Sequence, residues 1–121
     1  MIVKKIGLSS ITVADAKKSL QFFTETLGLR VVESSPEYNW YEFAGKEDGV
    51  ALGMGQCYGE AKAGMNAIVS LVVDDIENVI SELKSKNVRF LGDIMEVPGG
   101  MKLILFCDLD GNLFYLVQEP K

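Results

Sequence analysis

Trp40, Glu42 and Tyr115 are the side chains of this chain best suited to act on a small molecule. Trp40, the single tryptophan, sits in Tyr38-Asn39-Trp40-Tyr41-Glu42-Phe43. Strand alternation puts Trp40 and Glu42 on one face and Tyr41 and Phe43 on the other. An indole in a cleft can stack on an aromatic or cationic ligand; it can equally serve as core or as a dimer contact. Glu42 beside it is a candidate general acid or base, or a solvated strand glutamate. Tyr115 can hydrogen-bond a ligand carbonyl or close the floor of a cavity. Other chemistries are excluded by what is missing. The chain has no histidine, so Cys57 and Cys107 lack an imidazole base and no Ser–His triad can be built. Gly53-Met54-Gly55 lacks the later glycine and lysine of a phosphate-binding loop.

Positioning such side chains requires a packed scaffold, and the composition supplies one. The 121 residues are 48% hydrophobic and 24% charged, which suits one domain with a buried core. The net charge of −5 comes with scattered basic residues, so a nucleic-acid partner is not expected. The longest apolar stretch, around Ala67 to Val73, is far below the roughly 20 residues that cross a bilayer, and no membrane partner is expected. Met1-Ile2-Val3-Lys4-Lys5 begins no secretion signal. Two cysteines form neither a ligand spacing nor a disulfide framework, which suits a cytoplasmic location.

The elements come in two matching sets. Val13-Ala14-Asp15 closes an apolar stretch and opens an amphipathic one, and Val73-Asp74-Asp75 repeats this sixty residues later. Ile11 and Val13 share one strand face, and Leu8, Ser10 and Thr12 the other. Asp15 and Asp75 are natural N-caps. Ala16, Leu20, Phe23 and Leu27 form one buried helical stripe, and Ile76, Val79, Ile80 and Leu83 the other. Gly28 and Asn87 stop the helices. Three short apolar segments follow each helix, with Asp48-Gly49 and Asp110-Gly111 as hairpin signals. Each half therefore reads β-α-β-β-β: module one over 1–55, a linker over 56–66 and module two over 67–121.

Val13-Ala14-Asp15 leading to Phe22-Phe23-Thr24-Glu25-Thr26-Leu27-Gly28-Leu29 resembles the glyoxalase/bleomycin-resistance/dioxygenase superfamily, the vicinal oxygen chelate proteins. Asp108-Leu109-Asp110-Gly111-Asn112 is similar to that family's Asp-Pro-Asp-Gly-Asn turn, with Leu in place of Pro. Together these marks cover essentially the whole chain. The resemblance implies an α+β fold of two βαβββ modules forming an open, cupped barrel, and a homodimer whose chains cover each other's edges or share clefts. It also implies a metal site with one ligand from the first and last strand of each module. Those positions fall on Leu8, Gly53, Ile68 and Tyr115, and only the phenol among them is a donor at all. No metal or other cofactor is therefore expected.

By alternation Leu8, Ser10, Thr12, Ala51, Gly53, Gly55, Ile68, Ser70, Leu113, Tyr115 and Val117 line the cavity wall or fill a closed interior. The resulting expectation is metal-independent binding of a small organic molecule, with an aromatic or cationic compound sequestered as in the bleomycin-resistance type. Trp40 would stack on it, and Glu42 and Tyr115 would orient it. Two enzyme readings stand beside it: a metal-dependent lyase or isomerase like the glyoxalases, and a metal-free acid/base enzyme using Glu42 and Tyr115. An interaction module with a filled cavity is the fourth reading.

Overall fold

The computed structural model describes residues 9–57, 62–64 and 66–120. Module one runs β1 (Ser9–Val13), α1 (Ala16–Gln21), β2 (Arg30–Ser35), β3 (Trp40–Ala44) and β4 (Leu52–Gln56). Module two runs β5 (Val69–Val72), α2 (Ile76–Ser85), β6 (Arg89–Glu96), β7 (Lys102–Cys107) and β8 (Leu113–Gln118). Each module forms a four-stranded sheet of the same topology, β1-β4-β3-β2 and β5-β8-β7-β6. In both, the first and last strands pair in parallel and the remaining pairs are antiparallel. The α+β architecture of two βαβββ units follows from this repeat.

The helices begin and end as their caps dictate. Asp15 Oδ1 accepts from the Lys17 and Lys18 amides, and Asp75 Oδ1 accepts from the Asn78 amide. Gly28 and Asn87 take left-handed φ values of 75° and 65° at the C-terminal ends. The next amides, Leu29 and Val88, reach back to the Phe23 and Leu83 carbonyls at 2.9 and 3.0 Å, which satisfies otherwise orphaned acceptors. Module one departs from a plain helix over Phe22–Thr26, a π turn closed by Leu27 N–H to Phe22 O at 3.1 Å. Phe22 and Phe23, adjacent in sequence, are both buried, with their rings edge to face at 5.2 Å.

Phe23 is the bridge between modules. Its ring lies 5.5 Å from Phe43 of β3 and 5.8 Å from Phe114 of β8, which in turn stacks on Phe106 at 5.3 Å. Burying such a ring contributes about 1.5–3 kcal/mol. Ile11, Val13, Met54, Ile76, Ile104 and Leu116 complete the same core cluster. Residues alternating with these strand positions form the opposite, cupped face of each sheet.

Two turn expectations come out differently. Gly111 has the expected left-handed φ of 84°, and its N–H reaches Asp108 O at 3.3 Å. Gly49 takes no positive φ, because the loop over 45–51 is long enough to reverse the chain without a two-residue turn. Gln56, read as the start of a linker, ends β4 instead, and Ile68 precedes β5.

Candidate functional site

Backbone register fixes which side chains share the cupped face of module one. One row across the sheet is Ser10, Gly53, Glu42 and Glu33; the next is Thr12, Gly55, Trp40 and Ser35. Above them lies a cleft of about 730 Å³ lined by Ser10, Ile11, Thr12, Glu37, Tyr38, Asn39, Trp40, Gly55, Gln56 and Cys57. That volume is in the range of pockets that take small organic molecules.

Trp40 is fixed from two sides. Its Nε1–H donates to Glu42 Oε2 at 2.9 Å, two residues along the same strand face. A methyl at Gly55 would meet the indole at 3.1 Å from Cε3 and 3.3 Å from Cζ3. The absent side chain therefore lets the ring settle low on the sheet. Glu42 does not line the cleft; it holds the residue that does.

The rim comes from a turn that strand alternation missed. Pro36–Tyr38 forms a single 3₁₀ turn, and Asn39 follows at a left-handed φ of 54°. Pro36 at the start and an asparagine that tolerates φ > 0 were the available signals. Tyr38 is 80% exposed as a result. Gln56 was missed as well. Its Oε1 accepts the Ala16 N–H at 2.9 Å and its backbone N–H donates to Asn39 O at 3.3 Å, so it ties the rim to α1. Gln118 does the equivalent in module two, accepting the Ile76 N–H at 2.9 Å. The matched glutamines were readable in the repeat.

The end of β1 is pinned by the other module. Asn112 Nδ2 donates to Thr12 O at 3.0 Å and Asp110 Oδ2 accepts the Ala14 N–H at 3.2 Å. Asn112 Oδ1 accepts from Gly64 N–H at 3.1 Å and from the Asn66 side-chain Nδ2. Asp108 anchors this turn by accepting from the Asp110 amide and from both the amide and side chain of Asn112. Burial pushes the Asp108 carboxyl above its ordinary range, against the lowering effect of the hydrogen bonds from Asn112 and Asp110, and with a further rise from the nearby Asp110 charge.

Of the expected site residues, Ser10 and Trp40 line the cleft, and Glu42 and Gly53 stand beside it on the same sheet. Ser70 and Tyr115 pair with each other on the module-two sheet, and Ile68 leads into it. Leu8 lies outside the described residues. Glu42 and Tyr115 thus stand on different sheets. Gly53, Ile68 and Tyr115 offer one phenol oxygen between them, which does not fit a divalent cation. Among the described residues no three His, Cys, Asp or Glu side chains gather as a cation site.

The pattern of the glyoxalase/bleomycin resistance protein/dioxygenase superfamily matches residues 5–116. The chain belongs to that superfamily. This glyoxalase-superfamily protein is 29% identical over 121 residues to the uncharacterized protein YetH of Bacillus subtilis strain 168, covering 97% of this chain and all of the relative. A superfamily member from Sphaerobacter thermophilus has a crystal structure that superposes with a TM-score of 0.81 at 26% identity, over 98% of this chain and 100% of the other. TnmS3, an antibiotic-binding protein from Streptomyces sp. CB03234, superposes with a TM-score of 0.79 at 25% identity, over 98% of both chains. No helix among the described residues is long and apolar enough to cross a membrane.

Proposed function

We propose that this protein binds a small, partly aromatic organic molecule in the module-one cleft and needs no metal to do so. The observation that carries this reading is the cleft of about 730 Å³ walled by an indole that Glu42 holds in place. A preset aromatic wall with a few hydroxyl and amide groups suits burial and stacking of a flat ligand. The likeness to the antibiotic-binding TnmS3 supports the same class of ligand. Sequestration, rather than turnover, is the activity proposed.

The reading includes a homodimer. Module two's cupped face repeats the rows of module one but changes their chemistry: Ser70, Tyr115, Leu105 and Leu91, then Val72, Val117, Leu103 and Met95. Val72 and Met95 are 62% and 57% exposed there. A second copy covering this face would bury it and add an apolar wall to a cleft whose other wall bears Trp40. Free thiols at Cys57 and Cys107 suit a cytoplasmic home.

The test is thermal melting of chelator-stripped protein with Mn²⁺, Co²⁺, Ni²⁺ or Zn²⁺, beside titration of planar aromatic compounds read by Trp40 emission. The expected result is no shift with any metal and saturable quenching by at least one aromatic compound. A metal at about 100 times its dissociation constant would add about 2.7 kcal/mol and several degrees. Such a shift would replace this reading with a metal-dependent lyase or isomerase.

A further inference from the structure

Three carboxylates lie on or beside the wall that bears Trp40, and among the described residues no counter-charge pairs with them. Glu37 lines the cleft. Glu42 holds the indole N–H. Glu33 stands directly opposite Glu42 in the β2–β3 register, and like charges facing each other across an antiparallel pair oppose sheet formation. Among the described residues none of the three is in an ion pair; the pairs that form are Arg30–Asp48, Lys46–Asp74 and Lys102–Glu77. Arg30, on the same strand as Glu33, gives its guanidinium to Gly45 O and Asp48. Among the described residues, no Lys or Arg lines the cleft.

The hydrogen bond to Glu42 also changes the indole. An N–H donating to a carboxylate pushes electron density into the ring, and the ring face is already the negative pole of its quadrupole. A cation placed on that face gains from both effects. It would also face the Glu37 carboxylate on the cleft wall, whereas an anion would meet that like charge with Glu42 and Glu33 beside it on the sheet.

We infer that this cleft selects flat organic cations over neutral or anionic molecules of the same shape, and that Glu42 sets the preference by holding and polarising Trp40. The inference rests on the cleft being a small-molecule site. Glu42 acts here as a positioning residue, since it touches the indole and does not line the cleft.

The experiment compares three planar tricyclic probes against the full chain by calorimetry and Trp40 quenching: cationic N-methylacridinium, neutral acridone and anionic 9-anthracenecarboxylate. N-methylacridinium is expected to bind at least about tenfold tighter than acridone at low salt, equivalent to about 1.4 kcal/mol. 9-Anthracenecarboxylate should bind more weakly than acridone. The cation's advantage should shrink as salt screens the partly exposed carboxylates. Glu42→Gln keeps an oxygen for the indole N–H but removes the charge. It should reduce the cation-to-neutral ratio to about threefold or less. Acridone binding as tightly as N-methylacridinium in the unmodified chain overturns the inference and leaves the small-molecule reading standing. Failure of all three probes to bind overturns both. A cation preference that survives in Glu42→Gln, or that ignores salt in the unmodified protein, removes Glu42 or charge from the explanation. The salt series needs no variant, so it decides the matter even if Glu42→Gln folds poorly.

Discussion

Asn112 has a neutral side chain with two donors and a two-lone-pair acceptor, and the fold uses all of them. It is 1% exposed, donates to Thr12 O and Asp108 Oδ2, and accepts from Gly64 and Asn66. Asn112→Ala would strip the buried Asp108 carboxylate of its Oδ2 partner, at about 1–3 kcal/mol, and would also break the links to Thr12 O, Gly64 and Asn66. The expected loss is about 3 kcal/mol in a urea unfolding curve, with the midpoint lowered and the slope unchanged. Asp108 carries a pH signature of its own. Its carboxyl is raised in the folded state, chiefly by burial, so the folded protein holds this proton more tightly than the unfolded chain. Its contribution is therefore fully present below the ordinary aspartate range and is lost as pH rises through the raised value. Asp108→Asn removes that dependence. The stability difference, parent minus variant, is expected to be larger at about pH 4 than at about pH 7; a difference that grows toward neutral pH would contradict the assigned direction.

At the scale of elements, the paired glutamines offer a controlled comparison. Gln56 and Gln118 each accept the first free amide of a helix at 2.9 Å. Replacing either by Ala should cost about 1 kcal/mol, read as a drop of several degrees in melting temperature. Only Gln56→Ala should also shift Trp40 emission, because of the two glutamines only Gln56 lines the cleft. This comparison also marks what the sequence made legible. The period-two pattern put Ile11 and Val13 opposite Ser10 and Thr12, and Trp40 and Glu42 opposite Phe43, as the structure has them, because alternation is a property of each strand alone. The caps at Asp15 and Asp75 and the stops at Gly28 and Asn87 were legible for the same local reason. The π turn was not: Phe22-Phe23 fits an α-helix equally well until the second sheet supplies Phe114. Neither was the Asn112 clasp, whose partner Thr12 lies 100 residues away. Glu37, Tyr38 and Asn39 were lost to the site because Pro36–Tyr38 leaves the strand as a turn, a choice that pattern reading alone does not make.

Across the whole molecule, the repeat has diverged on its cupped faces while keeping its buried ones. Both modules bury phenylalanines and branched aliphatics in the one core, yet one cup carries Glu33, Glu42 and Trp40 where the other carries Leu91, Leu105 and Leu103. An acidic, aromatic wall and an apolar wall are complementary only if they face each other around something amphipathic. Among the described residues of one chain, the lining of the cleft comes from module one and the residue after its last strand, Cys57. If a second copy brings its apolar face to this cleft, the protein should sediment as a dimer, and Val72 becomes the sensitive position. Val72 is 62% exposed in one chain, so Val72→Glu removes little from the monomer's core and should leave its circular dichroism unchanged. Across a dimer contact the same carboxylate would be buried against hydrocarbon without a partner, which is strongly unfavourable. The expected outcome is a shift from dimer to monomer at micromolar concentration. Ligand affinity at Trp40 should fall with it, although Val72 lines no part of the cleft in its own chain. A dimer that dissociates with no change in ligand affinity would separate the two roles, leaving the apolar face as an assembly surface alone. A parent protein that sediments as a monomer would mean that Trp40's cleft works with one wall.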